Sequence, residues 1–263
     1  MKWALPNHGR ERHTVLKENY MQNAITIARR EFQTYFNSPV AYIVLGVYLI
    51  AICSLFFFIL GGGVFVAGRA SMRAFFSISP WLFMVVAPAV TMRLVAEERK
   101  SGTLEILMTL PLNDWEVVLG KFLGAMWMIC VGLLFTLFVP LSLSSLTAEN
   151  FTFDWGPVIG GYLGLVLMAS TFVATGMWAS ALTRNQIVSF ILGLAICFVL
   201  IIIDSISFFL PESIGAIVQY LSVSFHFQNI SRGVIDSRDL VYYFTMTAIG
   251  LRLTIGALRA ARQ

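Results

Sequence analysis

Six stretches of this chain, about 39–60, 75–92, 122–146, 157–182, 187–209 and 240–258, are long, apolar and almost free of charge. A helix needs about 20 such residues to cross the hydrocarbon of a bilayer. Backbone placed there must satisfy its hydrogen bonds internally, so runs of this length predict crossing helices. Charged residues make up 12% of the chain, about half of what a soluble domain carries. The last run contains Arg252, close enough to one end for its side chain to reach the interface. The fold class predicted is all-α, a polytopic membrane protein with six transmembrane helices.

Positive residues in the connections set the orientation of such a protein. With six spans, both termini, the 93–121 segment and the 183–186 turn share one side, which carries 14 of the 18 Lys and Arg residues. Arg69, Arg73, Arg232 and Arg238 fall on the other. Both ends are therefore expected in the cytoplasm, and the net charge of +4 reports topology. Nucleic acid is not an expected partner. The first 38 residues lack the short apolar core of a signal peptide. Cys53, Cys130 and Cys197 fall inside expected spans, which speaks against a disulfide framework.

Residues 1–20 read as a cytoplasmic tail. From Met21 to Phe36, Met21, Ala24, Ile25, Ala28, Phe32, Tyr35 and Phe36 recur at helical spacing. This predicts an amphipathic helix along the inner interface, with Arg29 and Arg30 near lipid phosphates. Asn37-Ser38-Pro39 turns the chain into the first span, and Pro39 suits a first helical turn. Pro88 lies deep in the second span and predicts a kink. Pro140 lies near the outer end of the third. In the fourth, Gly160-x-x-x-Gly164 permits close helix contact.

Residues 93–121, RLVAEERKSGTLEILMTLPLNDWEVVLGK, are too charged for a span and too apolar for a plain loop. Ser101-Gly102 is expected to break one helix and cap the next. A short helix from Thr103 to Leu110 ends at Pro111, and Asn113 with Glu116 resembles a capping box opening a third helix. Leu104, Ile106, Leu107, Met108 and Leu110 are too many apolar side chains for one exposed short helix, and call for a protein groove or a lipid surface. Glu97 and Glu98 sit where a helix leaves the membrane. They either hold the following helix at a fixed angle, by pairing with Arg30 or a partner's basic residue, or are solvated beside Arg99 and Lys100.

Residues 211–238 are too broken to span and too apolar for a free loop, so two short helices in the outer leaflet are expected there. Asp204, near the outer end of the fifth span, either lines a path or caps the next turn at the interface. His226 has no Cys or carboxylate beside it at ligand spacing, which points to an interfacial residue over a metal ligand.

This order of elements resembles the permease subunit of ABC-2 type transporters. The matching stretches are Ala28-Arg29-Arg30-Glu31-Phe32, Asn37-Ser38-Pro39, Glu97-Glu98-Arg99-Lys100-Ser101-Gly102-Thr103-Leu104-Glu105 and Leu119-Gly120-Lys121-Phe122. Tyr220-Leu221-Ser222 through His226-Phe227, and Ser231 to Asp239, are similar to a narrower branch, the gliding-motility-associated permeases related to copper-enzyme-maturation permeases. The resemblance covers about 20–260 and implies a single ABC-2 type transmembrane domain over 21–260. It implies two permease subunits, the second a copy or a paralogue, and separate ATPase subunits that bind ATP and Mg below a bacterial inner membrane. Thr103, Leu104, Leu107 and Met108 would then belong to a coupling helix docked on that ATPase, with Glu97 and Glu98 beside it and Arg184 at a second contact. Asp204, His226 and Arg232 would line the path or form an outer cap. The chain has no GxxxxGK[ST] phosphate loop, so no ATP site is expected in it. Export is the expected direction. The alternative is a mechanotransmitting unit that works on periplasmic partners and moves no solute.

Overall fold

A computed structural model describes residues 8–59, 71–103, 113–145, 154–207 and 211–260. Among them there are helices and turns, with no strand. The elements are α1 (His8–Phe36), α2 (Pro39–Ser54) running on into a π-helical turn (Leu55–Ile59), α3 (Arg73–Thr91), α4 (Ala96–Ser101), α5 (Asp114–Thr136), α6 (Phe138–Ser145), α7 (Trp155–Leu182), α8 (Gln186–Ser207), α9 (Glu212–Tyr220), α10 (Val223–Ser231) and α11 (Ser237–Ala260). Among the described residues, six stretches are long and apolar enough to cross a membrane: Pro39–Phe58, Arg73–Ser101, Asp114–Ser145, Trp155–Leu182, Gln186–Ser207 and Ser237–Ala260. Helix extends past the apolar run at several of these ends, because backbone pairing continues where side chains turn polar.

The most buried span is α7, which packs against α3, α8, α10 and α11. Its small residues allow this. A Cβ on Gly161 would meet the Phe76 ring at 2.2 Å, and one on Gly176 would meet Thr91 Oγ1 at 2.2 Å. Close approach of this kind replaces the hydrophobic drive that lipid cannot supply. By contrast α2 and α8 are poorly covered, and expose Ile43, Val47, Ile50, Ile187, Ile191 and Val199 to whatever surrounds the bundle.

Two prolines within the spans act differently. At Pro88 the helix continues, with Met92 N–H donating to the Pro88 carbonyl at 2.9 Å, and the interruption falls at 92–95. At Pro140 the missing amide leaves the Thr136 carbonyl without its helical donor. The Tyr162 hydroxyl donates to that carbonyl at 2.9 Å, and the long helix is divided at Leu137 between α5 and α6.

The N-terminal helix is longer than the 21–36 stretch that was expected. It begins at His8, inside the stretch read as a tail, and it packs along the first half of α5. A Cβ on Gly120 would lie 2.6 Å from Ile27 Cβ, and one on Gly124 would lie 2.7 Å from Glu31 Cβ. Ala24 and Ala28 are buried, whereas Met21 and Ile25 are exposed. The stripe assumed to face lipid is thus split, because Ala suits a helix–helix seam as well as it suits a membrane surface.

Candidate functional site

The chain break between α3 and α4 is held from α7. Ser180 Oγ donates to the Met92 carbonyl at 3.0 Å and accepts from the amides of Val95 at 3.2 Å and Ala96 at 3.0 Å. One hydroxyl therefore satisfies three backbone groups that the interruption leaves unpaired. The Arg99 guanidinium donates to the Ala181 carbonyl, a second tie to the same helix. Gly102 ends α4 with φ of +74°, the left-handed conformation that glycine adopts without a steric penalty.

An ion cluster joins α4 to α1 and α5. Lys121 Nζ lies 2.7 Å from Glu98 Oε1 and 2.9 Å from Glu31 Oε1. Lys121 is 2% exposed, so its charge depends on those two carboxylates. Glu116 opens α5 from the side: the Asn113 amide donates to Glu116 Oε2 at 3.0 Å, and Asn23 of α1 donates to Glu116 Oε1 at 3.5 Å. The expected capping box is present. At the far end of the chain, Arg259 Nε donates to Asp114 Oδ2 at 2.9 Å, and the Arg252 guanidinium lies over the Trp115 ring at 5.2 Å.

Beside the cluster is a cavity of about 430 Å³. Arg93 lines it and donates to Ser38 Oγ at 3.3 Å. Tyr35 lines it too, and donates to the Val90 carbonyl at 2.9 Å. Burial pushes the Tyr35 phenol well above its ordinary value, and the negative charge of Glu31 adds to the effect.

Of the alternatives open for Glu97 and Glu98, a pairing of Glu98 with Arg30 is not formed; Glu98 pairs with Lys121. Glu97, Arg29 and Arg30 are exposed. Thr103 is exposed, with its hydroxyl 2.8 Å from Ser101 Oγ. Leu104, Leu107 and Met108 lie outside the described residues. Arg184 is exposed in the α7–α8 turn, where Thr183 Oγ1 accepts from the Asn185 amide at 3.1 Å and Asn185 Oδ1 accepts from the Ile187 amide at 2.9 Å.

The opposite end of the bundle carries a larger cavity, about 820 Å³, between the starts of α3 and α7, the end of α8, and α10. Arg73, Arg232, Asp154 and Asp204 line it, two charges of each sign. Asp204 and Arg232 are thus brought to one cavity.

His226 requires another correction. It is 1% exposed, and its Nδ1 lies 2.6 Å from Asp239 Oδ1 while Nε2 lies 2.9 Å from the Tyr220 carbonyl. The carbonyl can only accept, so Nε2 carries a proton. The ring stacks on Tyr242 with centroids 4.0 Å apart and an interplanar angle of 22°. Tyr242 and Tyr243 donate their hydroxyls to the Leu221 and Val223 carbonyls at 2.7 and 2.9 Å. An interfacial histidine is replaced by a buried strap that fastens α9 and α10 to α11. Among the described residues no group of three His, Cys, Asp or Glu side chains is placed to hold a metal ion.

Lys121, Glu31 and Ser180 form the inner joint, and none was a sequence candidate. A lysine at the threshold of an apolar run was the available signal, since a cation there needs partners. For Asp239 the signals were an acid in the first turn of a span and its place at the end of the branch-like motif from Ser231.

The model for the ABC-2 family transporter protein matches residues 20–220, which include every residue of the inner joint. The chain belongs to the ABC-2 transporter family. It is a multi-pass membrane protein and a permease subunit of an ABC transporter. ABC-2 permeases normally work with a separate ATP-binding subunit. The match ends at Tyr220, so the His226–Asp239 strap of this ABC-2 permease lies beyond it. A search of curated proteins finds no match to the chain.

Proposed function

We propose that this permease is an exporter worked by a separate ATPase that docks on the segment from Thr103 to Leu110, with Arg184 at a lesser contact. The ATPase binds the ATP and Mg. The α4 end faces the cytoplasm of a bacterial cell, and a second permease copy or paralogue completes the path. The narrower assignment is to the gliding-motility-associated, copper-enzyme-maturation-like branch. The observation that carries the reading is the Glu31–Lys121–Glu98 cluster. It ties α4, which leads directly into the proposed docking segment, to α1 and α5. A displacement of the docking segment is then passed to three helices at once.

Co-purification with the ATP-binding subunit tests the docking. Wild type should retain it, and Leu107→Glu should lose it while the permease still inserts. Retention by the variant, or no ATPase with the wild type, overturns the proposal. Solute flux in sealed vesicles tests export.

The mixed-charge outer cavity favours a second reading, in which the ATPase cycle moves a periplasmic partner. ATP turnover raised by such a partner, with no flux, would support it.

A further inference from the structure

The larger cavity, about 820 Å³, is lined by four charges that do not neutralise one another. Arg73 opens α3, Asp154 caps α7, Asp204 lies near the end of α8 and Arg232 follows α10. Two are of each sign, yet none of the four is in an ion pair among the described residues. Arg73, Asp154 and Arg232 are exposed and Asp204 is half-buried, so a molecule entering the space can reach them. Asp154 gives one carboxylate oxygen to the Gly156 amide at 3.0 Å. Asp204 accepts from Ser207 through its main-chain carbonyl, and Arg232 donates to Asn229 through its main-chain amide. The carboxylate of one and the guanidinium of the other are without a hydrogen bond among the described residues.

Between the charges the lining is aromatic. The Phe76 and Phe227 rings meet edge to face with centroids 6.5 Å apart. Glycines of α7 set both rings: a Cβ on Gly161 would lie 2.2 Å from Phe76, and one on Gly164 would lie 3.1 Å from Phe227. Trp81, 47% exposed, adds a ring that a ligand can cover. Equal numbers of each sign favour neither a bare anion nor a bare cation. A neutral ligand would take water from four charges and return no charge to them, which is costly. The ligand that fits carries separated opposite charges joined by an apolar body. The volume is of the size that small-molecule sites have, and more than a single amino acid fills.

We propose that this cavity binds a short peptide with a free ammonium and a free carboxylate. The ammonium donates to the Asp204 carboxylate, and the peptide carboxylate accepts from the Arg232 guanidinium, whose fork matches its two oxygens. An apolar side chain of the peptide lies on the rings of Trp81 and Phe76. Asp154 and Arg73 supply a second charge of each sign along the same wall. As the identity of a cargo this rests on the export reading; as a binding site it does not.

The test is calorimetric titration of the full chain in detergent with a tripeptide that has free ends and an apolar central side chain. Its N-acetylated and C-amidated forms each lack one charge, and each should bind about tenfold more weakly, the loss of one charge-assisted hydrogen bond. Asp204→Asn should erase the penalty for acetylation and keep that for amidation. Arg232→Gln should do the reverse. Thermal unfolding of both variants near the wild-type temperature shows that the fold is kept. No binding of the free tripeptide overturns the proposal, as do equal binding of its three forms or penalties unchanged in both variants. Loss of peptide binding when the chain is moved into phosphatidylethanolamine nanodiscs would assign the site to a lipid headgroup and overturn it too. With the ATPase in sealed vesicles, peptide binding without flux of any solute would uphold the site and overturn export. Flux of another solute with no peptide binding would uphold export and overturn the site.

Discussion

Lys121 of α5 holds Glu98 of α4 at 2.7 Å, and this contact closes a joint that the chain connectivity leaves open. Residues 102–113 separate the two helices in sequence, and the Lys121–Glu98 pair ties them through side chains. Because Lys121 also holds Glu31, its removal would leave two facing carboxylates without a cation.

Lys121→Met should therefore destabilise the permease by about 3–5 kcal/mol, the usual loss when one member of a buried ion cluster is deleted. Lys121→Arg should retain part of it. Thermal unfolding in detergent checks the stability. In a complex with the ATPase, ATP turnover that continues while flux falls would show the joint transmitting motion. Wild-type flux from Lys121→Met would exclude that role.

Gly160 and Gly46 make a controlled pair. A Cβ on Gly160 would meet the Ile230 carbonyl oxygen at 2.5 Å, whereas one on Gly46 meets nothing within 4 Å. Gly160→Ala must push α10 off α7 and should cost about 1–3 kcal/mol. Gly46→Ala should be neutral or slightly stabilising. Equal melting temperatures for the two variants would contradict the packing described.

Tyr162→Phe should strand the Thr136 carbonyl and cost about 1–3 kcal/mol. Pro140→Ala restores the amide that proline lacks, so the same change in that background should cost clearly less. A double-mutant cycle on unfolding reads the coupling directly. Additive losses would mean that Tyr162 does not substitute for the missing donor.

The His226–Asp239 strap predicts a similar non-additivity. Asp239→Ala alone leaves a buried imidazole facing an empty position, and His226→Phe alone leaves a buried carboxylate. Each should cost about 3 kcal/mol or more, and the double change less than their sum. Proteolysis within 211–236 should rise in the single variants, because α9 and α10 lose their fastening to α11.

Tyr35 gives a dependence on alkaline pH. Its phenol is held protonated by burial, so its folded value lies above the ordinary 10. Folding thus favours the neutral form. The contribution is complete below about pH 10 and is lost as pH rises toward the folded value. Tyr35→Phe also removes the hydroxyl bond to Val90, about 1 kcal/mol near neutrality. The gap between wild type and variant should narrow above about pH 10. A gap that stays constant through that range would contradict the burial effect.

The six spans were legible because length and lack of charge suffice for a helix in lipid. The stop at Gly102 and the box of Asn113 with Glu116 were legible because each is written within a few consecutive residues. The joint was not. Lys121 and Glu31 lie 90 positions apart, and their meeting depends on how closely Gly120 and Gly124 let α1 approach α5. His226 looked solitary because Asp239 is 13 residues away on another helix, and the angle between α10 and α11 brings them together. The branch-like motif from Ser231 to Asp239 contained the partner without revealing the pairing. The short helix expected from Thr103 to Leu110 lies, but for Thr103, outside the described residues.

Ser180 makes the gap between α3 and α4 a clamped splice. A loose hinge there would absorb a push at the α4 end as local bending. With Met92, Val95 and Ala96 fastened to a single hydroxyl of α7, the same push must drag the best-buried helix with it. Motion that enters at one edge of the bundle is thereby delivered to its centre.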